Sequence, residues 1–104
     1  MQERRAAKRV RANINVRWET LRTQGRGAVC DLSSSGCFVL AGGEVTPREL
    51  ARIELVLAGE VTIFWGNVVY TISEMGFAVR FVFASEADKE SLERIIEKAS
   101  LAAV

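Results

Sequence analysis

The chain has 104 residues, 49% of them hydrophobic and 26% charged, and a net charge of +1. This length suits a single domain, and no apolar run approaches the ~20 residues needed to cross a bilayer. The charged N-terminus is not followed by an apolar stretch, so we expect no signal peptide and a cytoplasmic location.

The residues that usually carry catalysis or hold metals are scarce. The chain has no histidine, the commonest general base and metal ligand. Cys30 and Cys37 are too few for a disulfide framework and lack metal-site clustering, so we expect small buried thiols. No paired carboxylates or nucleophile–base pair stand at a readable spacing. We therefore expect a protein that is not an enzyme, with no catalytic residue, metal site or cofactor.

The charge is distributed unevenly along the chain. Residues 1–11 contain five basic residues and one acidic residue, whereas the remainder contains nine basic and twelve acidic residues. A basic arm on a mildly acidic body favours a local anionic partner over general nucleic-acid affinity.

The middle of the chain has the pattern of short β-strands. From Asn13 the residues alternate, with Ile14, Val16 and Trp18 facing one way, as in a half-buried strand. Other β-prone segments follow between turn residues, at 27–30, 37–40, 53–57, 61–71 and 77–82. Six short strands at regular spacing are typical of a small antiparallel barrel or sandwich.

Three features of this β-rich region leave alternatives open. The stretch from Pro47 to Leu50 fits one helical turn or an extended loop. Gly66 indicates either a bulge or a close approach to the backbone. Trp18 and Trp65 are expected in the core or on a sheet face rather than as platforms for base stacking.

The C-terminal segment has a helical pattern instead. Ser85, followed three residues later by Asp88, resembles a capping box with Asp in place of Glu or Gln. Four apolar residues then fall at helical spacing: Leu92, Ile95, Ile96 and Ala99. We expect an amphipathic helix that docks on the strands.

Two segments carry residues suited to ligand binding. Arg5 and Arg9 are separated by three residues and precede the first predicted strand. Asp31, Ser33 and Gly36 lie in the turn after the second strand. Residues of these types form structured turns, because they hydrogen-bond their own backbone or tolerate positive φ.

Together these segments resemble the PilZ domain family, whose hallmarks are an RxxxR segment and a downstream D/N-x-S-x-x-G turn. The segments at 15–18 and 76–81 and the Ser-x-x-Asp helix start are also similar, so the resemblance covers essentially the whole chain. It implies a mainly β fold: a flexible basic ligand-binding arm over residues 1–12, a small six-stranded antiparallel β-barrel over 13–84, and a C-terminal α-helix over 85–104.

The resemblance also implies a receptor for the bacterial second messenger cyclic di-GMP, bound on the outside of the barrel. The implied ligand-binding residues are Arg4, Arg5, Arg9, Asp31, Ser33 and Gly36. Their chemistry suits that ligand, because an arginine fork pairs with phosphate or with guanine O6 and N7. A carboxylate accepts hydrogen bonds from the guanine N1 and N2 edge, and a serine hydroxyl both donates and accepts. Gly36 would either let the ligand approach the backbone or give the turn a positive φ.

The arm suggests how binding is signalled. Arg4 stands directly before the RxxxR segment, which in this family implies an intercalated pair of ligands. With Val10 as its one large apolar residue after Met1, the arm does not bury enough surface to order itself. We expect the ligand to fold the arm over the barrel and to signal to a separate effector protein or within an oligomer.

Two other functions fit the sequence less well. One is a PilZ-type interaction module for pilus or motility assembly that does not bind the ligand; such members typically lack the arginine pair or the turn. The other is a small nucleic-acid-binding protein whose basic arm contacts phosphates. Arg11, Trp65 and Arg80 are left open as contributors to the site, with Arg80 expected to face solvent.

Overall fold

The computed structural model of the chain describes residues 9–43 and 45–102. The strands are β1 (Arg9–Glu19), β2 (Gln24–Ser33), β3 (Gly36–Leu40), β4 (Leu50–Leu57), β5 (Glu60–Ile72) and β6 (Gly76–Val82), and the helix is α1 (Glu86–Ala102). All pairings are antiparallel, and the sheet closes in the order β1-β2-β3-β6-β5-β4, with β4 paired to β1. The predicted six-stranded barrel with a C-terminal helix is therefore confirmed. The alternative of a β-sandwich is not formed, because the sheet closes on itself.

Every second side chain along the strands points into the barrel and fills its interior. Ile14, Val16 and Trp18 are all buried, as the sequence pattern predicts. The Trp18 ring meets Phe77 edge-on with 5.2 Å between ring centroids, a favourable geometry for aromatic pairs. Trp18 is therefore a core residue of the barrel.

The first strand begins earlier than the alternating pattern does. Val10 is buried and lies opposite Leu32 of β2, also buried. Burial of this pair explains why residues 9–12, assigned to the arm from sequence, lie within β1. Residues 1–8 of the expected arm lie outside the described residues.

Two of the open alternatives in the β-rich region are resolved. Residues 47 and 48 form a turn without a helix, and β4 begins at Leu50. At Gly66 a Cβ atom would lie 2.4 Å from Val79 Cγ1 and 2.6 Å from the Arg80 carbonyl oxygen. The glycine is required by this close approach, and the bulge in β5 lies three residues later, at Val69.

The helix packs against β1, and its apolar residues belong to the same hydrophobic core as the interior of the barrel. At its start the Asp88 amide donates to Ser85 Oγ at 3.3 Å, and Asp88 Oδ2 accepts from the Ala84 amide at 3.2 Å, one residue before the cap. The predicted apolar stripe is buried: Leu92, Ile95, Ile96 and Ala99. In the described part of the chain, no helix has the length and apolar character to span a membrane.

Candidate ligand-binding site

A cleft of about 490 Å³ opens on the outer face of the barrel. This volume lies within the range of small-molecule sites. Of the predicted ligand-binding residues, Arg9, Asp31, Ser33 and Gly36 line the cleft, and Arg4 and Arg5 lie outside the described residues. The structure thus brings together four residues that are separated by up to 27 positions in the sequence.

Arg9 and Asp31 form an ion pair at this cleft. Arg9 Nε donates to Asp31 Oδ1 at 3.4 Å, and Arg9 Nη2 pairs with Asp31 Oδ2. Asp31 raises the pKa of Arg9, first through the hydrogen bond and second through its charge. The side chains are 72% and 33% exposed, and exposed pairs add little to stability. The ion pair is therefore accessible to a ligand that offers both groups better partners.

The turn between β2 and β3 is shorter than the sequence predicts, because Asp31 and Ser33 belong to β2 and Gly36 to β3, which leaves Ser34 and Ser35 between the strands. The Ser33 hydroxyl holds this turn. Its Oγ accepts hydrogen bonds from the Ser35 amide at 3.2 Å and the Gly36 amide at 3.3 Å, and it lies 3.0 Å from Ser35 Oγ. Ser33 is only 7% exposed. Its hydroxyl therefore shapes the edge of the cleft, as expected of a structured turn.

Gly36 is a glycine because two strands pass closely here. It does not adopt positive φ, so that one of the two reasons offered from the sequence is wrong. A Cβ atom at Gly36 would lie 2.1 Å from the Val79 carbonyl oxygen of the neighbouring β6, much closer than a van der Waals contact. The close approach lets β3 pair with β6 directly beside the turn.

A β-bulge turns Asp31 toward the cleft. Val29 pairs with Val39, but the next pair is Asp31 with Phe38, so Cys30 is an extra residue in β2. Val29 faces the core, and regular alternation would turn Asp31 inward with it. The bulge shifts the alternation by one residue, which is how bulges re-aim side chains at functional sites.

The residues that line the cleft and that the sequence did not assign to the site include Phe38, Tyr70 and Arg80. Arg80 is exposed and is the cross-strand partner of Gly36, which places a second guanidinium at the cleft. The Phe38 and Tyr70 rings lie 6.2 Å apart between centroids, tilted by 37°. These side chains lie on three different strands, and they come together because of how those strands pair, which the sequence alone does not reveal.

The other two open residues do not line this cleft. Arg11 is exposed on β1 and lies opposite Asp31. Trp65 is 47% exposed on the outer face of β5, in agreement with the expected sheet-face position.

The two cysteines have different environments. Cys37 is buried, and burial raises the pKa of its thiol to about 12, with a further contribution from the charge of Asp31. Cys30 is half-buried and lines the cleft. The expectation of two buried thiols is therefore confirmed for Cys37, whereas Cys30 is only partly buried.

The structure thus combines a closed six-stranded barrel with a cleft on its outer face that is bordered by an arginine–aspartate pair. The chain matches the family model of the PilZ domain over residues 3–98, and it belongs to that family. PilZ domains are ligand-binding receptors and are generally not enzymes.

Solved structures of PilZ domains have the same fold. The PilZ domain with c-di-GMP of YcgR from Escherichia coli is 20% identical, with a TM-score of 0.82 over 97% of this chain and 95% of that chain. The MrkH–c-di-GMP complex of K. pneumonia is 19% identical, with a TM-score of 0.73 over 98% of this chain and 54% of that chain. No curated protein matches the chain by sequence.

Proposed function

We propose that this chain is a cyclic di-GMP receptor and that the ligand binds at the cleft beside the β2–β3 turn. The observation that carries the proposal is the Arg9–Asp31 pair, which offers a cationic fork and a carboxylate side by side. Cyclic di-GMP carries phosphates and guanine edges, the partners that these two groups prefer. Structures of YcgR and MrkH with c-di-GMP support this choice of ligand.

Each cleft residue has a distinct role in this proposal. Arg9 leaves Asp31 to pair with a phosphate or with guanine O6 and N7. Asp31 then accepts from the guanine N1 and N2 edge. Ser33 acts through the turn that it holds, and Gly36 permits the strand approach that shapes the cleft edge. Binding therefore exchanges one exposed ion pair for charge-assisted contacts to the ligand.

The arm provides further anion contacts. Arg4 and Arg5 precede Arg9 by five and four residues, and β1 begins at Arg9 beside the cleft. These two arginines are thus attached within a few residues of the bound ligand. We assign Arg5 to the phosphates of the first ligand and Arg4 to a second, intercalated one.

The output of binding is the ordered arm. Neutralising its arginines would fold residues 1–8 over the barrel and create a new surface for a separate effector protein in the cytoplasm. The same exchange of contacts would then serve both recognition and signalling.

Amide chemical-shift mapping during titration with cyclic di-GMP tests where the ligand binds. The largest changes are expected at residues 30–38 and 78–80, which border the cleft. The outer strand face around Ile63 serves as an internal reference, since it does not line the cleft. Changes confined to that face or to α1 would contradict the proposed site.

A further inference from the structure

Tyr70 occupies an unexpected position on its strand. Phe64 and Val68 face the core, and regular alternation along β5 would turn Tyr70 inward with them. Instead, Val68 pairs with Val79 and Tyr70 with Ala78, so Val69 is an extra residue. This bulge leaves Tyr70 51% exposed and directs its ring to the cleft.

The bulges in β2 and β5 bring their re-aimed residues into one row across the barrel. Asp31 pairs with Phe38, Phe38 with Ala78, and Ala78 with Tyr70. Directly opposed residues of an antiparallel pair share a face of the sheet. The row therefore runs from the carboxylate at one end to an aromatic ring at the other, along the cleft.

Ala78 explains why the two aromatic rings meet. Phe38 and Tyr70 lie on strands that flank β6, and the small side chain of Ala78 lies between them. Their ring centroids are consequently 6.2 Å apart across the central strand. Phe38 supports the Tyr70 ring within the cleft, while half of the Tyr70 surface stays open to solvent.

We propose that Tyr70, supported by Phe38, is the base-stacking wall of this cleft and binds the face of one guanine of cyclic di-GMP. This assignment rests on the proposed function and extends it to the recognition of the purine ring. Every base has a π-face that stacks on an aromatic side chain, whereas Arg9 and Asp31 recognise edges and phosphates. The two ends of the row thus bind different parts of the same ligand.

Calorimetric titration of three variants tests the stacking role. Tyr70→Ala is expected to weaken cyclic di-GMP binding by at least about fivefold, the lower end of base–aromatic stacking. Tyr70→Phe keeps the ring and should bind like the wild type. Trp65→Ala is the matched control, because it removes an equally exposed aromatic residue of β5 that lies outside the cleft, and it should leave the affinity unchanged.

A spectroscopic measurement reports on the ring without altering its shape greatly. Tyr70 is the only tyrosine of the chain, so labelling with 3-fluorotyrosine gives a single ¹⁹F resonance at the cleft. Stacking of a guanine should shift this resonance through its ring current, and the shift should saturate together with the calorimetric heat. A shift of this kind with cyclic di-GMP and none with inorganic phosphate would support a base contact.

The outcomes separate this inference from the function on which it rests. Suppose that the wild type binds cyclic di-GMP, that Tyr70→Ala binds with the same affinity, and that the ¹⁹F resonance does not move. This result would overturn the stacking role of Tyr70 and leave the proposed receptor function intact. Absence of binding by the wild type would overturn the proposed function and the stacking wall together. Equal losses for Tyr70→Ala and Tyr70→Phe would also contradict stacking, because they would indicate a role for the hydroxyl group.

Discussion

At the scale of single residues, Arg9 contributes little to the fold, and the proposed function gives its side chain a role in binding instead. Its guanidinium is exposed and pairs with Asp31, whereas the next residue, Val10, is buried in the core. The strand is thus anchored by Val10, whereas the Arg9 side chain makes an exposed ion pair that contributes little to stability. Substitutions at position 9 should consequently separate affinity from stability.

Arg9→Ala is expected to weaken cyclic di-GMP binding by about tenfold or more, because it removes charge-assisted contacts to the ligand. Its thermal midpoint should stay close to that of the wild type, as the lost ion pair is exposed. Calorimetry and a thermal melt check the two halves of the prediction. Arg17→Ala is the control: it removes another exposed arginine of β1, which pairs with Glu54 away from the cleft, and it should bind cyclic di-GMP normally. A large loss of stability in Arg9→Ala would contradict the prediction that Arg9 contributes to binding and little to the fold.

The two thiols provide a second residue-scale test. Cys37 is buried and burial raises the pKa of its thiol to about 12, so almost none is thiolate at neutral pH. In a Cys30→Ser variant, labelling of Cys37 by a thiol reagent should therefore require unfolding. In a Cys37→Ser variant, Cys30 should react in the native state and be protected by cyclic di-GMP, because it lines the cleft. Equal labelling of Cys30 with and without saturating ligand would place the ligand elsewhere.

At the scale of elements, the helix and the cleft have separate tasks. The stripe of α1 packs against the barrel, and Leu92 is among the most buried side chains. The cleft is lined by residues of the strands and of the β2–β3 turn, without contribution from α1. Changes in the stripe should therefore affect the stability of the domain and leave the affinity of the folded protein intact.

Leu92→Ala is expected to lower the free energy of unfolding by about 2–5 kcal/mol, the usual cost of such a cavity. Denaturant unfolding measures this loss, and calorimetry under folding conditions should return the wild-type affinity. Leu21→Ala makes the same chemical change at a fully exposed position and should have little effect on stability. A similar small effect at Leu92 would show that the helix is not docked in solution.

Periodicity predicts the strands and the helix because each local pattern agrees with the final burial. Ile14, Val16 and Trp18 alternate as a half-buried strand does, and they are buried. The cleft was predictable only in part. Asp31 was identified through its motif, whereas Tyr70 was not, since its outward direction depends on a bulge that follows from pairing with β6. Register between strands distant in sequence is a tertiary property that single-strand patterns do not contain.

At the scale of the whole molecule, the basic segment 1–8 directly precedes the strand that borders the cleft. The arm joins the barrel at Arg9, the first residue of β1, which itself lines the cleft. Any ligand in the cleft is therefore next to the point where the arm enters. This placement favours coupling between ligand binding and the conformation of residues 1–8.

Hydrogen exchange tests that coupling. Saturating cyclic di-GMP should slow exchange of amides in residues 1–8, because contacts of Arg4 and Arg5 with the ligand would order this segment. Arg4→Ala should lower the stoichiometry from two ligands to one while retaining the first site. Clean one-to-one binding by the wild type would rule out the intercalated pair, and unchanged exchange in the arm would rule out the ordering mechanism.

The most direct test of the central claim is isothermal titration of the purified chain with cyclic di-GMP, with GTP and cyclic di-AMP as controls. We predict saturable binding of cyclic di-GMP at micromolar or lower concentration, with much weaker binding of both controls. Absence of heat, together with no thermal shift at high ligand concentration, would contradict the receptor function. That result would favour a PilZ-type interaction module that does not bind the ligand.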